Sequence, residues 1–160
     1  MATLTLTGAK LLHEGQFEGM KVRLPVFLGR RPVEPVDHDL VAFYGRLLKE
    51  VNREVFRNGE WCLCERSGWS DNQSCQKVLT WCWVKEDERY LVVVNFSDGT
   101  AQVRIQVPWK ELRGKTWRLH DVLSGEIYDR GGDEMRDAGL YVDLEPWKCH
   151  LFRVRKKVTL

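Results

Sequence analysis

The apolar positions of this chain change period once, near residue 60, and that change divides it into a helical lead and a strand-rich remainder. In the lead, residues Ala2 to Thr7 alternate threonine and leucine, the pattern of an edge strand or of the frayed end of a longer element. The run Ala9 to Leu12 then reads as a fully buried strand. It is closed by the polar, glycine-punctuated stretch His13-Glu14-Gly15-Gln16-Phe17-Glu18-Gly19, and glycines and charges continue through Pro32. Pro32 and Pro35 hold the next segment extended. Asp37 is placed to cap a helix, with Val36 and Val41 positioned as a staple across its first turn. Leu40, Tyr44, Leu47, Leu48, Val51 and Val55 follow at three- and four-residue steps, one stripe running to Phe56, and Asn58-Gly59 ends it.

Beyond Trp61 the period becomes two. Strands are predicted over Val78 to Val84, Tyr90 to Phe96, Ala101 to Val107, Thr116 to Val122, Leu140 to Leu144 and Cys149 to Val154. Turn residues separate them, among them Ser97-Asp98-Gly99, Ser124-Gly125 and Gly131-Gly132-Asp133. In the third of these strands Ala101, Val103, Ile105 and Val107 share one face and Gln102, Arg104 and Gln106 the other, so one face of its sheet is wet. The tract Glu60 to Lys77 fits neither period and reads as a loop that covers the sheet or joins the two halves. Short strands in regular succession predict a mainly β fold, an antiparallel sandwich or barrel.

Composition narrows this further. With 160 residues, 43% apolar and 30% charged, the chain has material for one good core or two small ones. A formal charge of +2 with acids and bases interleaved gives no footprint for nucleic acid or an anionic membrane, and Arg30-Arg31 and Arg153 to Lys157 read as solvated surface. No apolar stretch reaches the length of a membrane span, and no signal peptide is recognisable, so a cytoplasmic product is expected. Five cysteines, Cys62, Cys64, Cys75, Cys82 and Cys149, lack paired CxxC spacing; reduced thiols are expected, with no metal and no cofactor.

Two groups of residues carry candidate chemistry. Glu14 and Glu18 stand four apart with His13 and Gln16 between them, and paired carboxylates are what glycoside acid/base chemistry uses. The competing reading has them capping the strand end, pairing with Arg23 or Arg30, or lining a pocket that other residues complete. Seven tryptophans are many for this length, and indole faces stack on sugar rings. Trp81 and Trp83 share a strand face, and Trp69 sits among loop residues; the bland alternative is that large aromatics fill a small β core. The four histidines show no ligand spacing, no serine has a GxSxG context, and no phosphate loop occurs.

In this order the motifs resemble the C-terminal end of an α-amylase-type enzyme of glycoside hydrolase family 13. Gly8 to Gly19 is similar to the eighth barrel strand and its following loop, and Asp37 to Phe56 to the last barrel helix. Leu91 to Ser97, with Asn95, resembles a central strand of the family's C-terminal β domain, and Trp117 to Gly125 one of its strand-and-turn units. The resemblance implies an antiparallel β-sandwich preceded by one strand and one long helix from the end of a TIM barrel, with residues 1–59 as barrel end and 60–160 as β domain. It implies a parent acting on α-glucan, while the family's three catalytic carboxylates lie on earlier strands, and a whole barrel needs roughly 200 residues or more. The expected role is therefore an accessory, stabilising region that is not catalytic by itself. Its partner is the rest of the barrel or a second copy of the chain. His13, Glu14, Gln16 and Glu18 are expected near substrate, and Trp69, Trp81 and Trp83 are the stacking candidates. A stand-alone carbohydrate-binding module using exposed tryptophans is the alternative, and a small hydrolase working through Glu14 and Glu18 a third reading.

Overall fold

The computed structural model describes residues 1–22, 25, 27, 29–30 and 32–158. Its centre is the hairpin of β3 (Val78–Lys85) and β4 (Glu88–Asn95), in register from Val78 opposite Asn95 to Lys85 opposite Glu88. β1 (Glu60–Leu63) pairs with the outer edge of β3, while β9 (Cys149–Lys156), β6 (Thr116–Asp121) and β7 (Ile127–Gly131) extend the sheet beyond β4. The result is a six-stranded antiparallel sheet of order β1-β3-β4-β9-β6-β7. β2 (Glu65–Ser67), β5 (Ala101–Gln106) and β8 (Leu140–Leu144) form a second sheet of three strands.

The sheets face each other across a core that includes Val78, Leu91, Val93, Val103, Ile105, Leu119, Val142, Phe152 and Val154. The alternation read in β5 and β8 is the mark of this arrangement: Ala101, Val103, Ile105, Leu140, Val142 and Leu144 point inward and are buried. β4 shows no alternation because both of its faces are covered. Leu91 and Val93 enter the inter-sheet core, whereas Tyr90, Val92 and Val94 join a second core on the far side.

That second core is built with the lead. α1 (Ala2–Thr5) brings Leu4, α2 (His38–Val51) brings Leu47 and α3 (Val55–Asn58) brings Val55 and Phe56 against Trp81, Trp83, Tyr90, Val92, Val94 and Leu151. The molecule is thus three layers: helices, six strands, three strands. Asp37 caps α2 as expected, its carboxylate accepting from the Leu40 amide at 2.9 Å. Val36 and Val41 remain 41% and 39% exposed, so no buried staple forms there.

Three expectations are corrected. Residues 9–12 are not a strand: no strand lies beside them among the described residues, and Leu11 is 89% exposed. An isolated apolar run has no backbone partners and cannot hold a strand conformation. Among the described residues, therefore, no strand precedes the long helix, and α1 is the element found in the lead. The helix is also not continuous to Phe56. It stops at Val51 and restarts at Val55 through i→i−3 bonds such as Arg53 N to Glu50 O and Phe56 N to Arg53 O. At that break Arg53 pairs with Glu88 and Glu54 with Lys85, so contacts to the β3–β4 hairpin replace a helical turn. Finally, the tract Glu60 to Lys77 joins the two sheets by supplying β1 to one and β2 to the other, with a 3₁₀ turn over Ser74–Lys77. β7 and α4 (Gly132–Asp137) were not predicted as elements.

Candidate functional site

The stretch His13 to Gly19 folds as a turn-rich loop fastened to α2. Gln16 Nε2 donates to the Tyr44 hydroxyl at 3.0 Å, the Phe17 ring packs 4.8 Å from that of Tyr44, and the Asp37 amide donates to Glu18 O at 3.0 Å. Gly19, at φ +70°, lies so close to Asp37 and Leu40 that a Cβ would stand 3.1 Å from Asp37 Cβ. Within the loop Gln16 N donates to His13 O at 3.2 Å. Glu14 is exposed and Glu18 half-buried, and among the described residues no hydrogen bond or ion pair reaches either carboxylate. Arg23, one suggested partner, lies outside the described residues, as does Arg31. The four polar candidates thus share one loop, held by α2, with two acids that have no partner among the described residues.

A groove of about 710 Å³ lies on the same, helical side, walled by Leu4, Leu12, Val51, Phe56, Trp61 and Trp83. The Trp61 indole N–H is buried there without a partner among the described residues.

The tryptophans separate into two environments. Trp81 and Trp83 do share a strand face, but they are 2% and 4% exposed beneath α1 and α3, and both indole N–H groups donate to the Thr5 carbonyl, at 3.0 and 2.7 Å. Burial removes the open platform that stacking on a sugar requires; they are core.

Trp69 lies on the outer face of the three-stranded sheet. Its ring meets Tyr141 edge-on at 5.9 Å, and the Arg104 guanidinium sits 5.8 Å from the indole and 6.0 Å from the phenol ring. Strand register builds this cluster: Ser67, Arg104 and Tyr141 are cross-strand partners, and Gln102 opposes Asp143 one step along. Asn72 Nδ2 donates to Gln102 Oε1 and Gln102 Nε2 to Asp143 Oδ2, each at 3.0 Å. Partial burial and the Asp143 carboxylate push the Tyr141 phenol up, so it stays protonated and donates. The sequence signal for this face was the polar half of the alternation in β5 and β8, which places Gln102, Arg104, Tyr141 and Asp143 outward together. Phe96 and Trp147, exposed at 64% and 61% and 5.7 Å apart, form a further aromatic pair that the sequence reading did not bring together.

One charged group lies deep in the strands. Burial alone would raise the Asp121 carboxyl; the hydrogen bond from His150 Nδ1 at 2.7 Å and the amides of Leu123 and Leu151 outweigh it and hold the group below the ordinary aspartate range. Ser124 Oγ also donates to it, so serine, aspartate and histidine meet, but both side chains bind the carboxylate and the serine is not set on the imidazole as a nucleophile would be. Of the cysteines, Cys64 has its thiol pushed up by its hydrogen bond to Cys82 and by burial. Among the described residues no three His, Cys, Asp or Glu side chains cluster in a way that would hold a metal ion, and no helix is long and apolar enough to cross a membrane.

No protein-family model and no curated protein sequence matches the chain. Solved structures do. A noncanonic maltogenic α-amylase from Thermotoga neapolitana superposes with a TM-score of 0.74 at 16% identity, over 94% of this chain and 34% of that one. The α-amylase of Geobacillus thermoleovorans, solved with acarbose, gives 0.64 at 17% identity over 98% and 32%. A Nostoc punctiforme debranching enzyme soaked with acarbose gives 0.58 at 14% identity over 94% and 27%. The chain spans about a third of the length of the structures it matches. Its fold, helical lead and paired sheets together, is that of the C-terminal region of α-amylase-type enzymes.

Proposed function

We propose that this chain is the C-terminal accessory region of an α-amylase-like glycoside hydrolase acting on α-glucan, cytoplasmic in placement, with residues 1–59 the end of its barrel and 60–160 its β domain. The observation that carries this reading is that the likeness runs through nearly the whole of this chain yet only a third of each enzyme. The catalytic carboxylates belong, in this reading, to the remaining length. The chain's part is to cover and brace the barrel: the apolar groove on the helical side receives its neighbouring elements, which give the Trp61 indole an acceptor. His13, Glu14, Gln16 and Glu18 then border a sugar site that barrel strands complete, the two acids facing substrate rather than performing the chemistry alone.

The test is the native polypeptide. An antibody raised against this chain should detect, in cells that make it, a species several times heavier than 18.8 kDa that degrades α-glucan after immunopurification. A single species near 19 kDa, inactive on α-glucan, overturns the proposal.

A further inference from the structure

The loop at His13 to Gly19 lies with the helices, on one side of the six-stranded sheet; the three-stranded sheet covers the other side and turns its outer face to solvent. The fold needs little from that outer face. It needs Val103, Ile105, Leu140 and Val142 underneath, and these are buried whatever stands above them. Yet the upper side carries Trp69, Tyr141 and Arg104 within about 6 Å of one another, flanked by Gln102, Asp143 and Asn72.

We propose that this face binds a neutral oligosaccharide, with Trp69 and Tyr141 contacting the sugar rings and Arg104, Gln102 and Asp143 hydrogen-bonding their hydroxyls. Three observations converge on that class of ligand. The first is amphipathic chemistry: a pyranose offers an apolar C–H face and a rim of hydroxyls, and the cluster offers ring surface, with Tyr141 39% exposed, beside planar polar groups. The second is the donor and acceptor balance. A hydroxyl both gives and accepts, and so does this set: Arg104 only donates, Asp143 accepts and Gln102 does both. Arg104 and Asp143 also cancel in charge, which suits an uncharged ligand better than an anion.

The third is preorganisation. Arg104 is fixed by its bond to Gly139 O at 3.2 Å, and Gln102 is held between Asn72 and Asp143. These side chains stand on strands rather than on free loops, so little ordering remains to be done on binding. Identifying the sugar as α-glucan rests on the proposed function; the oligosaccharide class does not. Because the face lies opposite the helical groove, it stays open when a barrel occupies that groove, and it acts as a holding site away from the bond being cleaved.

The experiment is calorimetric titration of the full chain with maltoheptaose and, separately, with cellohexaose and xylohexaose, followed by emission spectroscopy. Saturable heat with at least one of them is expected. Trp69→Ala and Tyr141→Ala should each weaken it roughly tenfold, the size of one lost aromatic contact. Gln102→Ala, which leaves both rings in place, should weaken it as well, and Trp147→Ala should bind as the parent does. Near-ultraviolet circular dichroism establishes that each variant retains its fold, and Gln102→Ala serves if an aromatic variant does not. No saturable heat with any of the three sugars, or unchanged affinity in the folded variants, overturns the proposal. Binding of cellohexaose or xylohexaose but not maltoheptaose upholds the site and counts against the α-glucan parent instead.

Discussion

Asp121 carries its charge inside the protein, and that makes it a pH sensor of stability. Its folded-state carboxyl lies below its ordinary value of about 3.9 because His150, Leu123 and Leu151 donate to it. A group depressed on folding contributes stability that is fully present above the unfolded value and is lost as pH falls through the folded one. Asp121→Asn keeps the shape and removes the titration. In urea melts at pH 7 and near pH 3, the loss of stability on acidification should therefore be smaller in the variant than in the parent; an equal loss in both would assign the acid sensitivity elsewhere. Asn95 is a second buried polar residue with a defined task. Its amide donates to the carbonyls of Gly99, Leu144 and Glu145 at 2.7, 3.1 and 2.9 Å, tying the end of β4 to the turn after it and to the end of β8. An apolar side chain there would leave those carbonyls unpaired.

At the level of the elements, α2 depends on its cap. Asp37→Ala removes the acceptor for the Leu40 amide and should cost about 1 kcal/mol, read as a lower midpoint in chemical denaturation with little change in slope. The cap, the stripe and six of the nine strands among the described residues could be read from the sequence because each has one wet face and one dry face, or, as in β4, a continuous apolar run. β1, β2 and β7 could not, since they lie at sheet edges with most side chains exposed or half-exposed and so print no alternation. Residues 9–12 misled for the opposite reason: apolar composition is local, whereas a strand needs neighbours. The candidate site divides the same way. Trp69 stood out from its loop setting, but its partners Arg104 and Tyr141 come from strands 35 and 72 positions downstream, and only the register of three strands unites them. The burial of Trp81 and Trp83 depends on a four-residue helix crossing them, which no periodicity announces.

For the molecule as a whole, the helices are a wall of the second core rather than an appendage. A cut at residue 59 would uncover Trp81, Trp83, Tyr90, Val92, Val94 and Leu151 together, a contiguous apolar surface of a kind that monomers rarely carry. The Thr5 carbonyl has a sharper consequence. Two indole N–H groups share it, from Trp81 and Trp83, in a place with no access for water. Deleting residues 1–7 removes that acceptor together with the Leu4 cover and opens both rings to water, and should show as a lowered urea midpoint with a red-shifted tryptophan emission. The strands thus lean on a carbonyl oxygen more than fifty residues ahead of the first of them, and the two indoles that share it make its loss visible in ordinary fluorescence.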